Sequence, residues 1–449
     1  MEILSKIFFY SYLLVSFLLT FKNKKNLLYS YVISLPFFGL MMDVGLQIDI
    51  TKFISLLTCL ILLYHLPKIP RKLSPILTFI IYIVSITIVM SMFLPESVSR
   101  FPLLRGKYRW VFQIFMWLLM FVPLFYSQIF IKNIKEVEKL YKFLLFSLVI
   151  VSLLGFIQIF SFYFLDFDPF PISILYSEEH QRTASFQSVN NLIFRMSSVG
   201  GEPKHLAYSL VMGLTILFAH LISRKNIFSR KIDIFVFFIL LVAMLLTFST
   251  QGYILFFLNI VILLIYYKNI KSALILIIGI FALTSLIGST MGFSLNDLFK
   301  TRILRDKDEV SIVTYTEDSN ETVIGFLKDY PGFLVIGSGL GNIHLWAQNY
   351  IPDYAEYYMY GNVFVAKSGF LRLLSETGVI GLLLFFYGFL KPFYNLKKQN
   401  AEIKTHLIIS FLIFLDFLLS ADGPNYITFA FIIIYILYKN PNLKVKEIL

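Results

Sequence analysis

Apolar runs of 17 or more residues recur along nearly the whole 449-residue chain, and that recurrence constrains the fold more than any other feature. Each run is long enough, as a helix, to cross a hydrocarbon core of roughly 30 Å. Composition agrees: 58% of residues are hydrophobic, 18% aromatic and 15% charged, which fits a polytopic membrane protein and excludes a soluble one. Thirteen spans can be drawn, at 3–21, 27–42, 48–66, 74–94, 110–131, 141–165, 203–222, 232–248, 251–267, 271–290, 369–390, 405–420 and 424–438. The expected fold class is therefore an all-α polytopic membrane protein with about 12–13 transmembrane helices. The first span has no small-residue cleavage site after it and reads as a retained helix.

The formal net charge of +12 would suggest nucleic acid in a soluble chain. Here the basic residues sit in short interhelical loops, and no nucleic-acid partner follows. Alternate loops hold 23 and 14 Lys and Arg residues, and the poorer set contains both long loops. The richer set is thus expected in the cytoplasm and the long loops outside. Three parts result: an N-terminal bundle over 1–290 with an outer loop at 166–202, a large outer loop at 291–368, and C-terminal helices over 369–449. A third outer loop, 95–109, carries Arg100, Arg105, Lys107 and Arg109 against the rule. They are either tolerated there or meet an anion. Cys59 is the single cysteine, so an internal disulfide or cysteine-rich metal site is excluded.

The most informative local sequence runs from Arg195 through Gly200-Gly201-Glu202-Pro203-Lys204-His205 to Ala207. Pro203 belongs at the first helical position, with Glu202 as its cap. The positive dipole end of that helix then lies at the outer surface, where it suits an anion, with Arg195, Lys204 and His205 beside it. The competing reading is that Glu202 and Lys204 only snorkel at a helix end. At Ser249-Thr250-Gln251-Gly252 two spans meet almost without a loop; Ser249 or Thr250 can cap the second helix, and Gly252 permits close backbone approach. After the large loop, Arg372 and Glu376 lie four apart on one helix face, which fits an intrahelical ion pair or a phosphate contact.

The large loop holds Arg302 and Arg305, the run Gly337-Ser-Gly339-Leu-Gly341, His344 as a candidate base, and tyrosines between Tyr350 and Tyr360 that could stack on sugars or form an interfacial belt. Asp166-Phe-Asp168 has a spacing seen among metal-binding carboxylates, although such pairs are common by chance. Asp416 lies inside a span and fits either function or a polar network within the bundle.

The chain resembles the O-antigen polymerase (Wzy) and O-antigen ligase superfamily of integral membrane glycosyltransferases. The resemblance rests on the Arg195 to Ala207 segment, the Ser-Thr-Gln-Gly break, Gly337 to Gly341, and Leu371-Arg372-Leu-Leu-Ser-Glu376-Thr-Gly378-Val-Ile-Gly381. It implies a GT-C-like fold in the bacterial inner membrane, with the active site and one large loop facing the periplasm. It also implies transfer of a glycan from undecaprenyl diphosphate to a hydroxyl of a second lipid-linked repeat unit, without metal or cofactor. A chain-length regulator protein is an implied partner, beside membrane lipid. Ligases of the superfamily typically carry a His-Asn pair where this chain has Lys367 and Ser368, which favours the polymerase branch. The Arg-x10-Gly pattern of some polymerases is absent after Arg182, Arg302 and Arg305, whose eleventh following residues are Ile193, Val313 and Thr316. The resulting assignment gives Arg195, Lys204, His205, Arg302, Arg305 and Arg372 to the diphosphate, with Glu202 then His344 as base. The alternatives are a ligase acting on lipid A–core and a flippase for lipid-linked glycans. Against the flippase, no internal repeat is visible and charges gather at the outer surface.

Overall fold

A computed structural model gives the fold; it describes residues 2–43, 47–64, 73–94, 109–131, 133, 135–169, 194–268, 312–351, 366, 368–396, 401–420 and 424–439. The span expected at 271–290, Arg302, Arg305, Lys367 and the tyrosines from 354 to 360 lie outside those residues.

The protein is an all-α polytopic membrane protein. Among the described residues, seven helices are long and apolar enough to cross a membrane: α4 (Ser74–Met92), α5 (Arg109–Phe130), α6 (Lys135–Leu165), α7 (Pro203–Ile222), α9 (Thr250–Tyr267), α13 (Gly369–Leu396) and α14 (Ala401–Ser420). Shorter apolar stretches occur in α1 (Glu2–Lys22), α3 (Ile50–Leu63) and α15 (Pro424–Lys439). The second expected span, 27–42, differs. Its helix, α2 (Lys25–Ser34), ends two residues before Pro36, where the residue preceding proline is pushed out of the helical region. The chain then forms a small antiparallel hairpin of β1 (Met41–Asp43) and β2 (Gln47–Asp49) before α3 begins.

Two compact units interleave along the sequence. The first comprises Met1–Leu18, Tyr29–Thr51 and Val137–Glu309. Within it α7 packs against α8 (Arg230–Leu246) and α9. Helix α8 starts where Ser229 caps it, accepting from Ile232 N, and where Asp233 accepts from Ile227 N at 2.9 Å and Phe228 N at 3.1 Å. That buried carboxylate satisfies donors the turn would otherwise orphan.

The second unit comprises Leu19–Leu28, Lys52–Glu136 and Val310–Leu449. Its centre is α13, which packs on α4, α14 and α15. Phe385 and Phe389 of α13 stack on Phe414 of α14, with ring centroids 5.6 and 4.0 Å away, and meet Phe431 of α15 edge-on at 5.6 and 5.5 Å. Lipid is as apolar as a side chain, so such ring packing, at roughly 0.5–1.5 kcal/mol a pair, and not a hydrophobic drive, holds helices together here. Buried polar side chains add ties: Thr428 Oγ1 donates to Met120 O at 2.8 Å and Tyr435 OH to Gly388 O at 2.8 Å.

Part of the expected large loop is itself helical. Helix α10 (Ile312–Asp329) is amphipathic and buries Val323, Phe326 and Leu327 against Ile343, Ala347 and Ala366. It is followed by the short α11 (Pro331–Ile336) and α12 (Ile343–Trp346). Tyr350 OH donates to Asp329 Oδ2 at 2.6 Å, and that bond to a carboxylate pushes the phenol up to about 12.

Candidate functional site

In the first unit the segment Phe194–Glu202 leads into α7 and is fixed at both edges. Met196 N donates to Leu246 O at 3.0 Å, and Arg195 Nε to Thr247 O at 3.2 Å, so the segment is tied to the end of α8. On its other side Gln158 of α6 accepts from Ser197 N at 3.1 Å and Ser198 N at 2.7 Å. The same amide donates to Ser197 Oγ at 3.2 Å and Asp168 Oδ1 at 3.0 Å. Gln158 was not singled out from sequence; a lone amide within the apolar run Gly155–Phe162 was the available signal. Asp168, read as half of a metal-like pair, is here engaged by that amide.

Pro203 opens α7 and Glu202 stands at the cap, as expected, but the Glu202 carboxylate makes no capping bond. It faces Lys204 Nζ instead, 3.3 Å away, with Glu202 the more buried of the two. His205 lies edge-on to Phe38 with ring centroids 4.6 Å apart. Helix α9 starts beside this segment: Ser249 Oγ accepts from Gly252 N at 3.3 Å, and a Cβ built on Gly252 would fall 2.7 Å from the Cβ of Ala207. The Gly-Gly-Glu-Pro segment and the Ser-Thr-Gln-Gly break are thus one cluster. Glu202, Lys204 and His205 stand at the N-terminus of a 20-residue helix, and Arg195 lies on the segment leading into it, with its Nε on Thr247 O.

The second unit brings the other two motifs together. Helix α13 breaks at Gly378, whose φ of +66° and ψ of −179° only glycine tolerates. The break frees the carbonyls of the preceding turn, and the glycine-rich run occupies them. Ser338 N donates to Ser375 O and Gly339 N to Glu376 O, each at 2.9 Å. The Tyr82 hydroxyl of α4 lies 2.9 Å from Ile336 O and 3.2 Å from Thr377 O, and Thr87 Oγ1 accepts from Leu340 N at 2.9 Å. Broken backbone at membrane depth is tolerable only when buried in protein in this way.

Arg372 and Glu376 do pair along the helix, with Nε 3.5 Å from Oε1 but without hydrogen-bond alignment. Glu376 is 1% exposed; its Oε1 also accepts from Gly341 N at 3.4 Å, while Oε2 has no hydrogen-bond partner among the described residues. His344, read from sequence as a base in an open loop, is instead fully buried in α12. Ser368 starts α13, accepting from Leu371 N at 3.4 Å and donating to Leu418 O at 3.2 Å.

Residues 235–386, about a third of the chain, match the Wzy_C family model, described as O-antigen ligase. That match supports the likeness of this stretch to the Wzy/O-antigen ligase superfamily. It runs from α8 past the Gly378 break, and so contains the Ser-Thr-Gln-Gly, Gly-Ser-Gly-Leu-Gly and Leu-Arg-Leu-Leu-Ser-Glu-Thr-Gly motifs. The Wzy_C match implies a membrane glycosyltransferase-like enzyme, polymerase or ligase. No curated protein matches the chain. Among the described residues no cluster of three or more His, Cys, Asp or Glu side chains could hold a metal ion.

Proposed function

We propose that this protein is a surface-polysaccharide polymerase of the inner membrane, joining undecaprenyl-diphosphate-linked repeat units at the periplasmic face. The observation that carries the reading is the cluster at the start of α7. A helix N-terminus, Arg195 and Lys204 supply positive potential, and Glu202 supplies a carboxylate beside it.

The donor diphosphate binds to Arg195 and to the side chain and backbone N–H of Lys204, with the His205 ring as a further donor; Pro203 has no N–H, and those of His205 and Leu206 donate to Glu202 O. An acceptor hydroxyl attacks the anomeric carbon as the bond from that carbon to the diphosphate oxygen breaks. The electron pair leaves with undecaprenyl diphosphate, and the hydroxyl proton passes to Glu202. Diphosphate is a good leaving group, so positioning, anion stabilisation and one base suffice. Arg302 and Arg305 are assigned to the same diphosphate from sequence. Arg372 we assign to Glu376 instead, since that buried carboxylate needs a cation near it. A chain-length regulator is the expected protein partner.

The polymerase branch is favoured over the ligase because Ser368, one of the two positions of the ligase His-Asn pair, is spent on capping α13. The ligase reading is kept alive by the description of the matching family model. Gene deletion and restoration, read as surface polysaccharide on a gel, separates them. A ladder collapsing to a single repeat on the lipid core establishes the polymerase; lipid-linked polymer accumulating without any repeats on the core establishes the ligase. Restoration with Arg195→Ala is expected to give roughly a hundredfold less polymer, the scale of losing one oxyanion-type donor. A normal ladder from that variant removes Arg195 from the site.

A further inference from the structure

Helix α11, Pro331–Ile336, has the sequence Pro-Gly-Phe-Leu-Val-Ile, and none of its residues is buried. Leu334, Val335 and Ile336 are 37, 50 and 39% exposed, and Tyr330 just before them is 51% exposed. The neighbouring helix α10 behaves differently. It turns Val323, Phe326 and Leu327 inward and, with Ile324 as the one apolar exception among 321–329, leaves Glu321, Lys328 and Asp329 exposed, as a largely water-facing amphipathic helix does. Two helices in one connecting segment therefore present opposite surfaces to their surroundings.

The position of α11 says what its surface meets. It lies on the break of α13: a Cβ built on Gly378 would fall 2.3 Å from Val335 O, and Ser338 and Gly339 just beyond are bonded into the break. On the other side of Gly378, the first exposed side chains of α13 are Val379, Ile380 and Leu383, the last 62% exposed. Those belong to a helix long and apolar enough to span the bilayer, so they face acyl chains. Neither Pro331–Ile336 nor Val379–Leu383 contains a charged residue, and Val335 O meets Gly378 where the two come together. At the C-terminal end of α11 the Ile336 carbonyl accepts from the Tyr82 hydroxyl and Gly337 N donates to Phe333 O, so the backbone there is satisfied within the protein, as an element among lipid requires.

We propose that α11 and the Gly337–Gly341 run form a re-entrant element, with Leu334, Val335 and Ile336 in contact with the acyl chains of the leaflet that α13 enters through its N-terminus. The helix break is then the socket that holds this element at that depth, and α10 remains in water above it.

The test uses the full-length protein with Cys59→Ser, reconstituted in phosphatidylethanolamine–phosphatidylglycerol vesicles. Single spin-labelled cysteines are placed at Leu334 and Val335, at Leu383 as the lipid reference, and at Glu321 and Asn349 as water references. The ratio of collisions with oxygen to collisions with a water-soluble nickel chelate is expected at Leu334 and Val335 to resemble Leu383 and to exceed severalfold that at Glu321. Ratios at Leu334 and Val335 equal to Glu321 overturn the proposal. Should a cysteine variant fail to yield folded protein, Leu334→Trp in brominated-chain phospholipid gives the same decision. Quenching beyond that of the unsubstituted protein supports bilayer contact, and unchanged quenching rejects it.

Discussion

Gln158 is a polar side chain on the apolar helix α6, and its full hydrogen-bonding capacity is used. Both lone pairs of Oε1 accept backbone amides, and both hydrogens of Nε2 go to Ser197 Oγ and Asp168. The segment it holds contains Ser198 at a φ of +51°, a left-handed conformation that costs a non-glycine residue roughly 1 kcal/mol or more. Ser198 Oγ also donates to Val151 O at 2.8 Å, so α6 fixes the strained residue twice. Arg195 and Glu202 flank this clamp in sequence, and their placement depends on it. Gln158→Leu leaves the amides of the buried residues Ser197 and Ser198 without acceptors, a loss of roughly 3 kcal/mol. It is expected to lower the thermal unfolding midpoint in detergent by several degrees. An unchanged midpoint would mean that the amides find other acceptors.

At the scale of elements, α13 and its docked loop form a unit whose two sides are each shaped by a glycine. A Cβ on Gly378 would fall 2.3 Å from Val335 O, and one on Gly337, where φ is +86°, would fall 2.5 Å from Glu376 O. Neither contact can relax without undocking the loop. Gly378→Ala and Gly337→Ala are each expected to cost about 2–4 kcal/mol, combining backbone strain with overpacking. Gly332→Ala, whose added Cβ meets nothing within 4 Å, is the control and should be neutral or slightly stabilising. Limited proteolysis and thermal unfolding of the three variants decide it; equal behaviour would refute the docked break. The sequence shows both halves of this device but not their union. Gly337–Gly341 is legible as a glycine-rich run, and Gly378 as a glycine in a span, yet 37 residues separate the bonded pair Ser338 and Ser375. Local pattern carries no information on such a pairing. Spans were legible because their composition alone sets them. The end of α2 was missed because the apolar run continues past Pro36 although the helix does not. The cap position of Glu202 was legible from Pro203, whereas its side-chain partner depended on Lys204 turning back toward it.

At the scale of the whole molecule, orientation decides whether the α7 cluster can meet a lipid-linked substrate at all. The proposed helix polarity rests on the loop charges, 23 Lys and Arg in one alternate set against 14 in the other, because basic loops resist translocation. Arg224 and Lys225 lie between α7 and α8, Arg230 and Lys231 open α8, and all four belong to the rich set. The stretch 291–368, which leads into α13, belongs to the poor set despite its length. In the proposed orientation α7 enters from the outer surface, and its N-terminal dipole and Lys204 would face the periplasm, where the lipid-linked repeat units would be presented. The opposite orientation would put the same groups in the cytoplasm, and the proposed substrate would be on the wrong side. Single cysteines at the exposed positions Asn226 and Asn349, in the Cys59→Ser background, read this directly. A membrane-impermeant maleimide added to intact spheroplasts is expected to label Asn349→Cys at once and Asn226→Cys only after permeabilisation. The reverse pattern would leave the helix packing untouched and remove the basis for polymerisation at the outer face.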